Sequence, residues 1–344
     1  MKRYSRWAKT LMSLSLAAGL AACGSPTGSE TAPQANQPAA GTGEPTELTI
    51  ALDWYPNAVH SFLYAAEEQG YFREENLNVH LQMPSDTNDP LKMVAVGKVD
   101  LAISYQPQVV QARSEDIPVV SIAALVREPL NVIMTRKDSG LDTPEKLVGK
   151  NIGYPSIPLD ESIVRTVLKH TGADDSKLSF TNIGFDIIPA LTAKQVDAVV
   201  GGYINHEQLI LEKNGVPVNV IKPSDYGVPS YYELVIATSD ETLGKKQQAL
   251  EAFLRAAAKG QEYVKNHKAE ALQLLLDKQA KEFPLDQDVE TKSLDILLPL
   301  MDAGDQPFGT QTAESWQKLI DWMKQEKLIT NDVKVDDVMR NLLK

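Results

Sequence analysis

Short apolar runs alternate with amphipathic segments along the first two thirds of the chain. Residues 48–52 have the pattern of a short buried strand, and residues 58–69 have helical periodicity that buries Phe62, Leu63 and Ala66. Gly70 provides the left-handed stop that commonly ends a helix. Further strands are predicted at residues 101–104 and 150–153, and a helix at residues 160–170. This alternation indicates βαβ units and parallel sheets, and therefore an α/β fold.

The pattern contains a short internal repeat. Residues 97–104 read GKVDLAIS and are followed by Tyr105, a helical segment and an apolar run at 117–122. Residues 194–202 read KQVDAVVGG and are followed by Tyr203, another helical segment and an apolar run at 216–221. The repeated plan predicts two similar lobes. From residue 243 the pattern is almost wholly helical, including 249–264 and 315–324, and we expect this tail to return to the first lobe.

The N-terminus predicts a secretory leader. Basic residues begin the chain, an apolar stretch covers residues 10–20, and small residues lead to Cys23, the only cysteine. The ending Leu-Ala-Ala-Cys resembles the lipobox of bacterial lipoproteins, which implies lipidation of Cys23 and cleavage before it. The alternative is an ordinary secreted protein with a free cysteine. Residues 24–47 are rich in proline and glycine and lack large apolar side chains, so they are expected to form a flexible tether.

These patterns give a domain organisation. A signal peptide is predicted at residues 1–22, and a lipidated cysteine with its tether at 23–47. Lobe 1 is predicted from residues 48–128 together with 233–344, and lobe 2 from residues 129–232. The chain is then expected to cross between the lobes near residues 126–132 and again near residues 228–234.

Composition and charge exclude several classes of function. The formal net charge is −12, and no run of lysine or arginine is present, which argues against a nucleic-acid partner. With Cys23 assigned to lipid, the fold has no disulfide, thiolate metal cluster or cysteine nucleophile. His60 and His206 lie outside HxH or HExxH spacing, so no metal site and no cofactor are predicted.

Four loops at predicted strand ends carry the candidate binding chemistry, because open α/β sheets bind ligands at the carboxyl ends of their strands. They are residues 53–57, 104–107, 153–156 and 201–207. Each contains an aromatic residue and none contains lysine or arginine, which points to a flat, unsaturated ligand held by stacking. The candidate ligand-binding residues are Trp54, Asn57, His60, Tyr105, Tyr154, Pro155, Tyr203, Asn205 and Glu207. The competing interpretations are that Trp54 fills the core and that Glu207 caps a helix.

Three segments in these regions support a family resemblance. Residues 53–60 read DWYPNAVH, residues 201–207 read GGYINHE, and residues 225–234 read DYGVPSYYEL. They resemble the thiamine-pyrimidine-precursor branch of ABC-transporter substrate-binding lipoproteins, and the similarity covers most of residues 48–330. The resemblance implies a two-lobed periplasmic-binding-protein fold (type II-like), with two doubly wound sheets joined by two hinge crossovers.

The resemblance also implies a function. A lipid-anchored monomer on the extracytoplasmic face of the membrane would capture N-formyl-4-amino-5-aminomethyl-2-methylpyrimidine and deliver it to an ABC permease for thiamine salvage. Trp54, Tyr105 or Tyr203 would stack on the ring, and Glu207 would accept a hydrogen bond from its amine. Asn57 and Asn205 would bond the ring edge or the formamide.

Alternatives remain open at this point. The ligand is alternatively riboflavin, taurine or another sulfonate, since neighbouring families bind such nutrients. A pyrimidine synthase is the less favoured alternative, because the family's fungal relatives carry a cysteine-rich iron motif and this chain has no cysteine besides Cys23. Tyr231, Tyr232 and Glu233 lie either in the pocket or in the hinge, and the sequence does not distinguish these positions.

Overall fold

The computed structural model describes residues 43–344. The predicted signal peptide, the lipidation site Cys23 and most of the predicted tether therefore lie outside the described residues. The first strand begins at Thr46, two residues before its predicted start at residue 48. Thr46 and Glu47 belong to the strand because they pair in register with Leu77 and Asn78 of the neighbouring strand.

Two five-stranded sheets form the centres of two lobes. The first sheet contains β1 (Thr46–Ala51), β2 (Leu77–Gln82), β3 (Leu101–Ser104), β4 (Val119–Val126) and β10 (Leu234–Ser239), in the order β2-β1-β3-β10-β4. The second sheet contains β5 (Asn131–Arg136), β6 (Asn151–Tyr154), β7 (Ser179–Asn182), β8 (Ala198–Tyr203) and β9 (Val218–Ile221), in the order β7-β6-β8-β5-β9. The chain passes from the first sheet to the second between β4 and β5, and it returns between β9 and β10.

Helices cover the sheets and form most of the C-terminal third. They are α1 (Ser61–Glu68), α2 (Tyr71–Glu74), α3 (Asp89–Ala95), α4 (Gln106–Ser114), α5 (Pro158–His170), α6 (Ile187–Thr192), α7 (Glu207–Lys213), α8 (Asp240–Asn266), α9 (Lys268–Asp277), α10 (Gln287–Met301), α11 (Ala313–Gln325) and α12 (Val335–Val338). The predicted helix at 58–69 is a short 3-10 helix, Ala58–His60, followed by α1. No helix among residues 43–344 combines the length and the apolar character needed to cross a membrane.

The sheets are mixed, which corrects the expectation of parallel sheets. β10 runs antiparallel to β3 and β4, and β5 runs antiparallel to β8 and β9. Both antiparallel strands directly follow a passage between the lobes. Their apolar runs are as continuous as those of buried parallel strands, so hydrophobicity alone did not distinguish their direction.

The repeated segments, residues 97–104 and 194–202, occupy equivalent positions in the two sheets. Asp100 precedes β3, and its Oδ2 accepts a hydrogen bond of 3.0 Å from the backbone N–H of Thr49. Asp197 precedes β8, and its Oδ2 accepts a hydrogen bond of 2.9 Å from the backbone N–H of Asn151. Each aspartate also donates its own backbone N–H to the carbonyl of that same partner. The repeated Val-Asp pair therefore anchors β3 to β1 in the first lobe and β8 to β6 in the second.

The helical tail contacts both lobes. α8 packs on α1 and on β10 of the first lobe, and Gly260 of α8 approaches the backbone of Phe62 closely. α10 contacts α7 of the second lobe as well as the 3-10 helix at Ala58–His60. The tail therefore packs on the first lobe through α8, and α10 additionally contacts both lobes.

Candidate functional site

A pocket lies between the two sheets, where the carboxyl ends of β1, β3, β6 and β8 face each other. Residues beside both passages between the lobes complete its wall. The lining residues are Asp53, Trp54, Asn57, Val59, Tyr105, Pro107, Gln108, Leu130, Asn131, Pro155, Ile157, Leu159, Asp160, Ile163, Gly201, Tyr203, Asn205, His206, Glu207, Tyr231, Glu233 and Leu234. Both lobes thus contribute strand-end loops to one enclosed site.

Aromatic side chains form much of the pocket wall. Trp54 follows β1 and is 9% exposed, and its ring centroid lies 4.6 Å from that of Phe185 in the second lobe. Its indole Nε1 is buried without a hydrogen-bond partner. Tyr105 follows β3 and Tyr203 ends β8, so the tyrosines that follow the two repeated segments lie in the same pocket. Burial, followed by nearby carboxylates, raises the pKa of each phenol well above its usual value, so both remain neutral.

Asp53 is held in place by a neighbour that does not itself line the pocket. The backbone N–H of Asn57 donates to Nδ1 of His60 at 3.1 Å. Since Nδ1 is the acceptor, the ring proton of a neutral imidazole is on Nε2, which lies 2.9 Å from Oδ1 of Asp53. His60 is fully buried and its hydrogen bond therefore fixes the direction of the Asp53 carboxylate.

Four carboxylates surround the pocket: Asp53, Asp160, Glu207 and Glu233. Within residues 43–344, no lysine or arginine lines it. Burial raises the pKa of Asp160 to about 7, even though a hydrogen bond from Asn131 opposes the shift. Burial also raises the pKa of Glu233 to about 7 and shifts that of Glu207 upward. The site therefore favours neutral or cationic groups and disfavours anions.

Glu207 has a structural contact as well as a place in the pocket. It is the first residue of α7, and its Oε2 accepts a hydrogen bond of 2.8 Å from the backbone N–H of Tyr203. Its Oε1 lies 4.0 Å from Nε2 of His206. One carboxylate oxygen thus stabilises the turn between β8 and α7, and because its partner is the last residue of β8, this bond is not a helix cap.

Glu233 connects the two passages between the lobes. Its Oε2 accepts hydrogen bonds from the backbone N–H groups of Leu130 at 2.7 Å and Asn131 at 2.9 Å. Its Oε1 accepts a hydrogen bond of 3.2 Å from the Tyr203 hydroxyl. Tyr231 also lines the pocket, whereas Tyr232 lies outside its wall and bonds Thr312 and Gln106. Glu233 therefore belongs to both the pocket and the junction.

Polar contacts hold the lobes together beside the pocket. The Tyr55 hydroxyl lies 2.8 Å from Nε2 of His206, and the Asn205 amide donates to the Ser293 hydroxyl at 2.9 Å. Nδ1 of His206 lies 3.4 Å from Oε1 of Glu290 on α10. Burial lowers the pKa of His206, but Tyr55, Glu207 and Glu290 outweigh burial and hold the pKa well above its usual value. The His206 imidazole therefore links the second lobe to Tyr55 and Glu290 of the first.

A comparison of the sequence with protein families decides its membership. The model described as NMT1/THI5 like matches residues 57–271, which is more than half of the chain. The chain belongs to the NMT1/THI5-like family.

Relatives of this NMT1/THI5-like protein include both binding proteins and enzymes. It is 43% identical over 296 residues to the formylaminopyrimidine-binding protein of Halalkalibacterium halodurans, covering 86% of this chain and 90% of that protein. It is 25% identical over 304 residues to the 4-amino-5-hydroxymethyl-2-methylpyrimidine phosphate synthase of Legionella pneumophila, covering 86% and 92% of the two chains.

Solved structures confirm the fold class. The alkanesulfonate-binding protein SsuA from Xanthomonas axonopodis pv. citri, bound to MOPS, superposes on the NMT1/THI5-like chain with a TM-score of 0.68. The two are 15% identical, and the match covers 87% of this chain and all of that one. The chain therefore has the two-lobed fold of periplasmic binding proteins, as the resemblance implied.

The structure brings together seven of the nine candidate ligand-binding residues of this NMT1/THI5-like chain. Trp54, Asn57, Tyr105, Pro155, Tyr203, Asn205 and Glu207 all line the pocket. His60 lies behind Asp53, and Tyr154 is outside the lining, with its ring edge towards Phe180 at a centroid distance of 6.4 Å. A role in ligand binding remains a prediction for all nine.

Asp160 and Asn131 also line the pocket, although neither is among the nine residues predicted from the sequence. Asp160 lies in the first turn of α5, and Asn131 opens β5 just after the passage between the lobes. The sequence predicts Asp160 at the start of a helix, where the helix dipole alone favours a carboxylate. Within residues 43–344, no group of three or more His, Asp or Glu side chains is arranged to hold a metal ion.

Proposed function

We propose that this protein is the ligand-capturing component of an ABC importer and that it binds N-formyl-4-amino-5-aminomethyl-2-methylpyrimidine for thiamine salvage. The observation that carries the proposal is the interlobe pocket, which among the described residues has aromatic and carboxylate side chains but no lysine or arginine in its wall. The name of the 43% identical relative, a formylaminopyrimidine-binding protein, supports the same ligand.

The chemistry of a 4-aminopyrimidine matches this pocket. Its ring is flat and offers a π face to Trp54, Tyr105 or Tyr203, and offset aromatic contacts contribute about 0.5–1.5 kcal/mol beyond area burial. Its exocyclic amine donates hydrogen bonds, which suits acceptors such as a carboxylate. The amide groups of Asn57 and Asn205 provide donors and acceptors for the ring edge or the formamide. The buried Asn205 Oδ1 has no partner within the protein, which suits a donor from the ligand.

An oxyanion is the less favourable ligand class. A sulfonate or nitrate would face Asp53, Asp160, Glu207 and Glu233 with no lysine or arginine in the described wall. Burying a negative charge beside four carboxylates is costly, and His206, the histidine of the described wall, already lies against Tyr55, Glu207 and Glu290. The similarity to an alkanesulfonate-binding protein is thus a similarity of fold, and riboflavin remains the alternative among flat ligands.

A pyrimidine synthase is the second candidate, since the relatives include one at 25% identity. We infer that the protein binds its ligand without converting it, because the relative with the higher identity is a binding protein and the polar contacts beside the pocket join two lobes. Expression in a bacterial host that needs an added thiamine pyrimidine distinguishes the two candidates, because a synthase forms the pyrimidine and a binding protein only captures it. Growth of that host without the added pyrimidine would refute the binding-protein proposal.

Isothermal titration calorimetry tests the ligand. The soluble body, residues 43–344, is expected to bind the formylaminopyrimidine with micromolar or tighter affinity and to bind thiamine, riboflavin and taurine more weakly. Trp54→Ala should weaken binding by about 1–3 kcal/mol, whereas Glu207→Gln, whose amide oxygen can still accept from the Tyr203 N–H, should weaken it less. Glu241→Gln, an exposed change on α8, is the matched control and should bind normally. Preference for taurine would refute the proposal.

Lipid anchoring through Cys23 at the extracytoplasmic face is part of the proposal and needs its own test. In full-length protein expressed in a bacterial host, Cys23→Ser should prevent lipid attachment and release the protein from the membrane fraction. Metabolic labelling with a fatty acid and membrane fractionation measure both properties. Unchanged labelling and firm membrane retention of the Cys23→Ser variant would contradict the anchor.

A further inference from the structure

Asp160 is a buried pocket carboxylate with one unused oxygen. It is 3% exposed and lies in the first turn of α5. Oδ1 accepts a hydrogen bond of 2.8 Å from Nδ2 of Asn131, whereas Oδ2 has no hydrogen-bond partner. Leaving a buried polar oxygen unsatisfied is costly, so such an atom in a pocket wall indicates a donor supplied by the ligand.

The orientation of this carboxylate is set by a chain of hydrogen bonds. The backbone N–H of Gly201 donates to Oδ1 of Asn131 at 2.8 Å. A backbone N–H is a donor only, so the side-chain oxygen of Asn131 faces Gly201 and its amino group faces Asp160. A Cβ at position 201 would lie 3.1 Å from Oδ2 of Asp160. Glycine at this position therefore keeps that oxygen free for contact.

Each of the other pocket carboxylates has at least one oxygen engaged within the protein. Oε2 of Glu207 accepts from the Tyr203 backbone, and both oxygens of Glu233 accept hydrogen bonds within the protein. Asp53 bonds His60 through Oδ1. Among residues 43–344, Oδ2 of Asp160 is the carboxylate oxygen that is fully buried with no partner.

We infer that Asp160 is the specificity-determining residue that accepts a hydrogen bond from the 4-amino group of the bound pyrimidine, a role first assigned to Glu207 from the sequence. This inference rests on the proposed function, because it names the atom that distinguishes a 4-amino from a 4-oxo ring in that same pocket. An amine is a donor at this position and a carbonyl is an acceptor, so the wild-type site accepts the first and rejects the second.

The same geometry predicts an inversion of specificity in Asp160→Asn. The amino group of Asn131 still requires an acceptor, so the new side-chain oxygen at position 160 takes the place of Oδ1. The new amino group then takes the place of Oδ2 in the pocket wall. An acceptor becomes a donor there without a change of shape, and the 4-oxo ring becomes the complementary ligand.

Calorimetric titration of the folded body, residues 43–344, tests this inversion. The probes are N-formyl-4-amino-5-aminomethyl-2-methylpyrimidine and its 4-oxo analogue, at about pH 8, above the Asp160 pKa that burial raises to about 7. Asp160→Asn should lose roughly 10- to 100-fold in affinity for the amine and bind the 4-oxo ring more tightly than wild type does. Asp138→Asn, an exposed charge-matched control in the second lobe, should retain the wild-type preference.

The outcomes separate the inference from the proposed function. If wild type binds neither pyrimidine, the proposed function is wrong and the inference falls with it. If wild type binds the amine and Asp160→Asn, shown folded by its melting curve, keeps the same preference, the inference alone is wrong. Should Asp160→Asn fail to fold, Asp160→Ala replaces it, with weaker amine binding and no gain for the 4-oxo ring expected. Undiminished amine affinity in Asp160→Ala would also overturn the inference.

Discussion

Glu233 makes the stability of the ligand-free protein depend on pH in a specific direction. Its carboxylate is 2% exposed, and burial raises its pKa from 4.5 to about 7. The ionised form is therefore disfavoured in the folded state. Its stability contribution is fully present below the unfolded pKa of 4.5 and is lost as the pH rises through the folded pKa of about 7.

Glu233→Gln removes this dependence while keeping the hydrogen bonds. The amide oxygen can accept from the backbone N–H groups of Leu130 and Asn131, and the amide nitrogen can donate to the Tyr203 hydroxyl, as the protonated acid would. A pKa unit corresponds to about 1.4 kcal/mol, so the shift amounts to about 3 kcal/mol. The variant should match wild type near pH 5 and exceed its stability by about 2–3 kcal/mol near pH 8.

Urea denaturation of both proteins at several pH values measures this difference. Equal m values for the two proteins at each pH show that the comparison is of stability alone. Glu241→Gln is the control, because a hydrogen bond from Lys245 lowers the pKa of Glu241 and leaves it ionised throughout this range. A difference between Glu233→Gln and wild type that stays constant from pH 5 to pH 8 would refute the reasoning.

Three further substitutions test the architecture around the pocket. Tyr55→Phe removes the hydroxyl that contacts His206 and should shift the ligand-free protein towards an open form by about 1 kcal/mol. X-ray scattering should then give a larger radius of gyration. An unchanged radius would show that this contact does not hold the lobes together. Gly201→Ala should destabilise the fold by about 1–3 kcal/mol, because φ is +85° and the new Cβ would lie 2.5 Å from Pro155. Thermal melting measures this loss, and an unaltered melting temperature would contradict the prediction. Gly260→Ala should lower the free energy of unfolding by about 3 kcal/mol or more, since its Cβ would lie 2.1 Å from a backbone oxygen of α1. Chemical denaturation measures this change, and a loss below about 1 kcal/mol would show that α1 and α8 separate easily.

Local pattern was sufficient to predict the α/β class and the doubled plan of the chain. The Val-Asp pairs at residues 99–100 and 196–197 mark the start of equivalent strands because each aspartate bonds the backbone of a neighbouring strand. The strand-end loops with aromatic residues include residues that line the pocket, because the loop at the carboxyl end of a strand is a local feature of the sequence. These features depend on periodicity and short motifs, which a single sequence displays directly.

Only the tertiary structure decided strand direction, the bridging position of α10 and the division of tasks among the pocket carboxylates. Asp160 and Glu233 are 73 residues apart, yet both face one pocket, and the sequence carries no local signal for this. Glu207 and Asp160 are both carboxylates at helix starts. They differ because Glu207 accepts a hydrogen bond from the Tyr203 N–H, whereas Oδ2 of Asp160 has no partner. The sequence by itself determined which chemical groups are present and which elements carry them. Packing determined which atoms remain free for a ligand, because hydrogen-bond satisfaction depends on distances between residues far apart in the chain.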